Sequence, residues 1–296
     1  MIKVLHIMNG AKNGGISMYV SNMYKYINKD NIHFDCAVYD DNLGINGENL
    51  KKMGCIFYKL PLKSRHPIKY YIALKKIIID GKYNVVHVHQ NESSVYPLMI
   101  SKRCNVKGLI SHAHTYRVYK SIFGKTKNKI SQLLLKKYST KRIACSSKAA
   151  LSIFGTCKDV IIQKNAIDTN LFQFDERKRI YIRKELGIDN KFVIGCVGNL
   201  GKEKNFDFAI GVFSNILKKA NNAMLVIIGD GPEKNNLIEL AEKLRITDKT
   251  LFLGKRSDVN ILLQGMDVFL MPSKYEGFGI AALEAATSRV TNNTVR

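Results

Sequence analysis

The sequence predicts an α/β chain made of two doubly wound, Rossmann-like halves. Three observations predict it: strand-sized apolar runs recur along the chain, amphipathic stretches separate them, and a polar, charged segment at 165–187 interrupts the alternation once. Continuous apolar runs suit strands buried on both faces, and helical stretches between them supply the crossovers that a parallel sheet requires. At 296 residues the chain has room for two cores of ordinary size.

In the first half, strands are expected at 3–8, 33–39, 55–60, 85–89, 108–111, 142–146 and 160–163, with helices such as 16–27 and 68–79 between them. The turn-rich stretch that follows carries no strand pattern and reads as a linker. The cycle then restarts with strand 192–198, helix 207–219, strand 223–229 and helix 233–244. Strand 251–253, helix 259–264, strand 268–271 and helix 279–286 complete it. The expected division is a domain at 1–164, a linker at 165–187 and a second domain at 188–296. Ligands in such sheets bind beyond the carboxyl ends of strands, so the loops after strands are the places to search.

Bulk properties narrow the function classes. No apolar run approaches the ~20 residues of a membrane helix, and the N-terminal run is too short for a signal peptide. A cytoplasmic protein is expected. The six cysteines form no C-x-x-C pair and read as small thiols in a reducing compartment, without a metal or redox role. The formal charge of +23 favours a polyanionic partner, or reflects a lysine-rich composition. A nucleic-acid partner is not expected, because no reader motif is present.

Four loops carry candidate chemistry. Asn9-Gly10-Ala11-Lys12-Asn13-Gly14-Gly15-Ile16 joins the first strand to the first helix, where Gly14 and Gly15 let main-chain N–H groups approach an anion. Ser111-His112-Ala113-His114 ends a strand, and alternation places both histidines on one side. A metal there lacks an evident third ligand, and a hydrogen-bonding role facing a cleft is favoured. His87 and His89 share the spacing but lie in a buried strand pattern and read as core histidines. Gly198-Asn199-Leu200-Gly201-Lys202-Glu203-Lys204 ends a strand of the second half, with Lys204 placed to hold a diphosphate.

The fourth loop decides the reading. Pro272-Ser273-Lys274-Tyr275-Glu276-Gly277-Phe278-Gly279 passes from a strand through a glycine-bounded turn into a helix containing Glu284. Gly277, Phe278 and Gly279 offer N–H groups to a diphosphate. Glu276 and Glu284 flank the turn as acceptors for paired hydroxyls, with a helical separation of roughly 12 Å.

This segment resembles the E-x7-E region of glycosyltransferase family 4, which has the GT-B fold. The resemblance extends to Asn165-Ala166-Ile167-Asp168 with Phe172, to Ile227-Ile228-Gly229-Asp230-Gly231-Pro232, and to Phe252-Leu253-Gly254 and Asp267-Val268-Phe269-Leu270. It implies retaining transfer from a nucleoside-diphosphate sugar, UDP-linked, without a metal or other cofactor, in capsule or exopolysaccharide assembly. It implies that Gly14 and Gly15 approach the donor phosphate and that His114 supports the sugar. Lys204 falls on the diphosphate-binding lysine, Glu276 on the sugar-binding carboxylate and Glu284 on the ribose-binding one. No dedicated general base is implied; the departing phosphate takes the acceptor's proton.

Two departures stand out. Asn199 occupies a donor-binding position where the family usually has arginine, with Lys202 a conceivable substitute. After Ala286 the chain ends in a tail, 287–296, without strand or helix pattern, so the second domain is expected to be incomplete and strand 268–271 to form an exposed edge. The basic, apolar-studded stretch between Tyr116 and Arg142 suggests docking on the anionic inner leaflet, which suits a lipid-linked saccharide acceptor. Two other readings stay open: an inactive remnant or non-catalytic partner of another transferase, and a sugar-nucleotide epimerase.

Overall fold

The computed structural model describes residues 1–12, 14–276 and 278–294, and divides the chain into two compact units, Met1–Ala166 and Ile167–Arg296. In the first unit seven strands alternate with six helices among the described residues. These are β1 (Ile2–Ile7), α1 (Gly15–Tyr26), β2 (Ile32–Val38), α2 (Gly44–Lys52), β3 (Phe57–Lys59), α3 (Pro67–Gly81), β4 (Val85–Val88), α4 (Val95–Arg103), β5 (Gly108–Ala113), α5 (Ile122–Tyr138), β6 (Lys141–Ala144), α6 (Ser147–Phe154) and β7 (Val160–Ile162). The strands form one parallel sheet in the order β3-β2-β1-β4-β5-β6-β7. Chain direction across the sheet reverses between β1 and β4, the kind of switch point that opens a crevice at the strands' carboxyl ends.

The second unit begins with two helices, α7 (Thr169–Phe172) and α8 (Glu176–Glu185). It continues as β8 (Phe192–Val197), α9 (Phe206–Leu217), β9 (Ala223–Ile228), α10 (Lys234–Lys243), β10 (Thr250–Gly254), α11 (Val259–Leu262), β11 (Val268–Met271), α12 (Ile280–Thr287) and β12 (Thr291–Thr294). Its sheet runs β10-β9-β8-β11-β12, all parallel. All six residues of β9 are buried, as expected of a strand covered on both faces. Alternation sorts the core accordingly. Ile194, Leu225, Ile227 and Leu270 face α9 and α10 through Phe206, Ile210, Phe213 and Leu237. Val193, Val226, Ile228 and Phe269 face the other layer through Ile182, Leu262 and Ala285.

Two expectations are corrected. The segment 165–187 is not a free linker: its turn-rich composition is that of helix caps. Asp168 accepts from the Asn170 N–H, and Asp175 accepts from the N–H groups of Arg177 and Lys178, starting α7 and α8. Phe172 and Ile182 then enter the core of the second unit. Arg179 and Arg183 reach Asp267 at 2.5 and 3.3 Å, and the same carboxylate accepts from the Val193 N–H at 2.8 Å. That carboxylate ties α8 to β8 and β11. The second correction concerns the tail. Thr291–Thr294 pairs with β11 along its length, so 268–271 is an interior strand and not an exposed edge.

Candidate functional site

In the second unit the sheet switches direction between β8 and β11, and the loops beyond these strands and β9 are knitted together. Gly229, at φ +145°, stands so close to Gly198 that a Cβ would meet its carbonyl oxygen at 1.8 Å. Only glycine allows the two loops this approach. The Leu200 N–H donates to the Asp230 carbonyl at 3.0 Å and the Lys274 N–H to the Glu203 carbonyl at 2.9 Å. Asn205, itself left-handed at φ 58°, donates from its side chain to the Pro272 carbonyl at 3.1 Å. The loop after β8 and the loop after β11 therefore present their side chains to one another.

The outcome is a pairing of two residues singled out in the sequence. The Lys204 ammonium donates to the Glu276 carboxylate, and the Ser273 hydroxyl donates to the same oxygen at 3.0 Å. Both charged side chains are about three-quarters buried, at 23% and 26% exposure. A cation and a carboxylate side by side can serve a ligand that is anionic at one end and hydroxylated at the other.

Beyond Glu276, Gly277 lies outside the described residues. Phe278 is half-buried, and Gly279 caps α12 in the left-handed conformation at φ 82°, with no side chain capping the helix. No side chain therefore satisfies the first N–H groups of α12. Glu284 follows on this helix and is only 6% exposed; burial pushes its carboxyl up to about 7. Asn199 is exposed on its loop, and its carbonyl accepts from the Gly201 N–H at 2.8 Å. The sequence-predicted residues Lys204 and Glu276 thus meet directly, whereas among the described residues no hydrogen bond or ion pair joins Asn199 or Glu284 to that pair.

The first unit gathers histidines at its own switch point. His6 lies on β1, His87 on β4 with His89 just after it, His112 on β5 and His114 just beyond. All five are buried. His6 Nδ1 and His89 Nε2 stand 2.9 Å apart, His89 Nδ1 and His114 Nε2 2.8 Å, and His87 Nε2 and His112 Nδ1 3.2 Å. Tyr19 of α1 closes edge-on over His112, with ring centroids 4.9 Å apart. Burial lowers every one of the five, His6 and His114 to about 3, so the rings are neutral at physiological pH.

The expectation that no third ligand stands near His112 and His114 is corrected. The triads His6–His87–His89 and His89–His112–His114 each bring ring nitrogens within 4.8 Å. Yet the closest contacts are hydrogen-bond separations, shorter than the ~3.3 Å kept by two nitrogens on one tetrahedral zinc. His87 and His89, read as core residues, are indeed buried but belong to the same cluster as His112 and His114. His6 was missed: it stands alone among apolar neighbours in a strand whose other polar residue is Lys3, and only the pairing of β1 with β4 brings it to the others.

Gly14 sits at the N-terminus of α1 in extended backbone, and a Cβ there would meet nothing closer than the Lys12 carbonyl at 3.8 Å. Neither backbone strain nor crowding calls for glycine at this position. What it leaves is open room at a helix N-terminus.

Residues 178–291 match the family model described as glycosyl transferases, group 1. The putative glycosyltransferase EpsF of Bacillus subtilis is 26% identical over 97% of this chain and 77% of its own length. The UDP-Gal:alpha-D-GlcNAc-diphosphoundecaprenol alpha-1,3-galactosyltransferase of Escherichia coli is 25% identical over 75% of this chain, which spans 60% of that relative. The crystal structure of Anabaena HepE in complex with UDP-glucose superposes with a TM-score of 0.86 at 18% identity, covering 99% of this chain and 80% of that one. The fold class is that of GT-B proteins, with two Rossmann-like units, and the chain is an enzyme of the glycosyltransferase class.

Proposed function

We propose that this enzyme moves a sugar from a nucleoside diphosphate, UDP in the first instance, to a lipid-linked saccharide, with retention at the anomeric carbon. The observation that carries the proposal is the Lys204–Glu276 pair beside the uncapped start of α12. In this reading Lys204 and the N–H groups of Phe278 and Gly279 hold the diphosphate, and Gly277 takes part with them. Their positive ends offset the charge that develops as the diphosphate departs. Glu276, oriented by Ser273, accepts from hydroxyls of the transferred sugar, and Glu284 accepts from the ribose diol. Asn199 borders the same loop and contributes a neutral contact where a second cation would otherwise stand. In the first unit, Gly14 leaves open room at the start of α1, where it and Gly15 would approach the donor phosphate, and His114 would offer a neutral imidazole to the sugar. Metal chemistry plays no part in this proposal, and the leaving diphosphate takes the acceptor's proton. The UDP-glucose complex of HepE and the diphosphoundecaprenol acceptor named for the galactosyltransferase support the donor and acceptor classes.

The acceptor side draws further support from α5. Ile122, Ile130 and Leu133 are 85%, 54% and 67% exposed, and with Thr126 and Lys137 they follow the helical period along one face. Phe123, 78% exposed, borders that face, and lysines flank it. An apolar stripe edged by lysines suits an anionic bilayer surface, where lipid-linked saccharides reside. No helix among the described residues is long and apolar enough to cross a membrane, so attachment through α5 would be peripheral.

The test is product analysis with UDP-linked sugars and polyprenyl-diphosphate saccharides in anionic vesicles. A product with the donor's anomeric configuration supports the proposal. An inverted linkage, or epimerised nucleotide sugar without transfer, contradicts it.

A further inference from the structure

We propose that His6, His89 and His114 act as one tautomer-locked relay, in which the proton on His6 Nε2 sets whether His114 Nδ1 donates or accepts a hydrogen bond. The argument stands on the geometry of the first unit; it rests on the proposed role of His114 only for the ligand that would meet its outer nitrogen.

A neutral imidazole has one protonated and one bare nitrogen. His89 spends both nitrogens on other histidines, Nε2 on His6 Nδ1 and Nδ1 on His114 Nε2. Each contact needs a single proton between its two nitrogens. If His6 donates from Nδ1, His89 accepts at Nε2, must carry its own proton on Nδ1 and donates to His114 Nε2. His114 is then protonated on Nδ1. If His114 donates from Nε2 instead, the same logic leaves all three rings protonated on Nε2. Mixed tautomers place two N–H groups or two lone pairs face to face. The chain therefore has two states, and in each the three rings share one tautomer.

The ends of the chain distinguish these states. His6 Nε2 and His114 Nδ1 are buried and have no hydrogen-bond partner. In one state His114 Nδ1 is an N–H donor and His6 Nε2 a bare acceptor; in the other their characters are exchanged. Water that reaches the two buried ends exchanges the states: it gives a proton to His6 Nε2, His6 Nδ1–H passes to His89 Nε2, His89 Nδ1–H passes to His114 Nε2, and His114 Nδ1–H returns to water, so the rings begin and end neutral. Burial, which holds these rings neutral across the physiological range, is what keeps the exchange from trapping an imidazolium. His87 stacks on His89 and His112 on His114, with ring centroids 4.1 and 3.9 Å apart, which packs the relay rings against neighbours. A single catalytic histidine needs no such chain. His6 and His89 are positioning residues for His114, and the pair allows one site to meet either a hydroxyl hydrogen or a hydroxyl lone pair.

Nitrogen NMR on the intact chain with 15N-labelled histidine separates protonated from bare ring nitrogens, and single-histidine variants assign the signals. The expected spectrum at neutral pH has His6, His89 and His114 neutral with matching tautomer populations. In His6→Phe, His114 should depart from its wild-type tautomer ratio. Unequal tautomers among the three rings, a cationic ring at neutral pH, or one tightly held metal ion per chain by elemental analysis overturns the relay. So does a folded His6→Phe variant with an unchanged His114 ratio. Should that variant fail to fold, the wild-type spectrum alone decides. A UDP-sugar that leaves the histidine signals unmoved counts against the role of His114 in sugar binding, while the ligand-free spectrum still decides the relay.

Discussion

Glu284 carries the most informative single charge in the second unit. Its burial within α12 raises the carboxyl to about 7, so near neutral pH it is divided between acid and carboxylate. A ribose diol donates to the carboxylate, so binding through Glu284 should weaken about tenfold per pH unit below about 7 and level off above it. A titration of UDP binding between pH 6 and pH 8 checks this, and a Glu284→Gln variant should lose the pH dependence and bind roughly 10- to 100-fold more weakly. Stability moves the other way. The folded value lies above the ordinary 4.5, so the contribution is fully present below that pH and is lost as pH rises through about 7. Gly14 makes a complementary test. A Cβ there meets nothing closer than 3.8 Å, so Gly14→Ala should leave the melting temperature near that of the wild type. If the glycine serves a phosphate, the same variant should raise the KM for donor.

At the scale of elements, α8 shows what the sequence made legible and what it hid. The alternation of buried strands and helices was plain because parallel strands covered on both faces must be continuously apolar, as β9 is. Segment 165–187 was obscure because its helices are short and their caps, Asp168 and Asp175, look like turn residues. Its attachment depends on Arg179 and Arg183 meeting Asp267 more than 80 positions later, a long-range pairing that no local pattern reveals. β12 was missed for a related reason: Thr291-Asn292-Asn293-Thr294 is polar, and only its pairing with β11 makes it a strand. In the site, the spacing of Glu276 and Glu284 marked both residues. The Lys204–Glu276 contact was not legible, because it depends on how two loops cross the switch point. The histidine cluster likewise needed the order β1-β4-β5. Removing Arg183, which also donates to the Gly265 carbonyl at 2.8 Å, should destabilise the second unit by about 3 kcal/mol. Denaturant unfolding of Arg183→Ala checks this, and a loss under 1 kcal/mol would mean that α8 is not anchored as described.

For the whole molecule, the buried histidines dictate the response to acid. Their folded values lie below the ordinary 6.5, so their contribution is present above that pH and is lost as pH falls toward about 3. Acid titration followed by circular dichroism should show the first unit losing stability as pH falls below about 6.5 toward 3, and His6→Phe should soften the slope. The +23 net charge adds repulsion in the same direction as carboxylates protonate. The central claim is that Lys204 and the start of α12 receive the diphosphate of a sugar nucleotide. Isothermal calorimetry of UDP against the intact chain and its Lys204→Ala variant tests it most directly. The account predicts one site per chain, weakened at least tenfold in the variant; no uptake by the wild-type chain, or equal affinity in both, would contradict it.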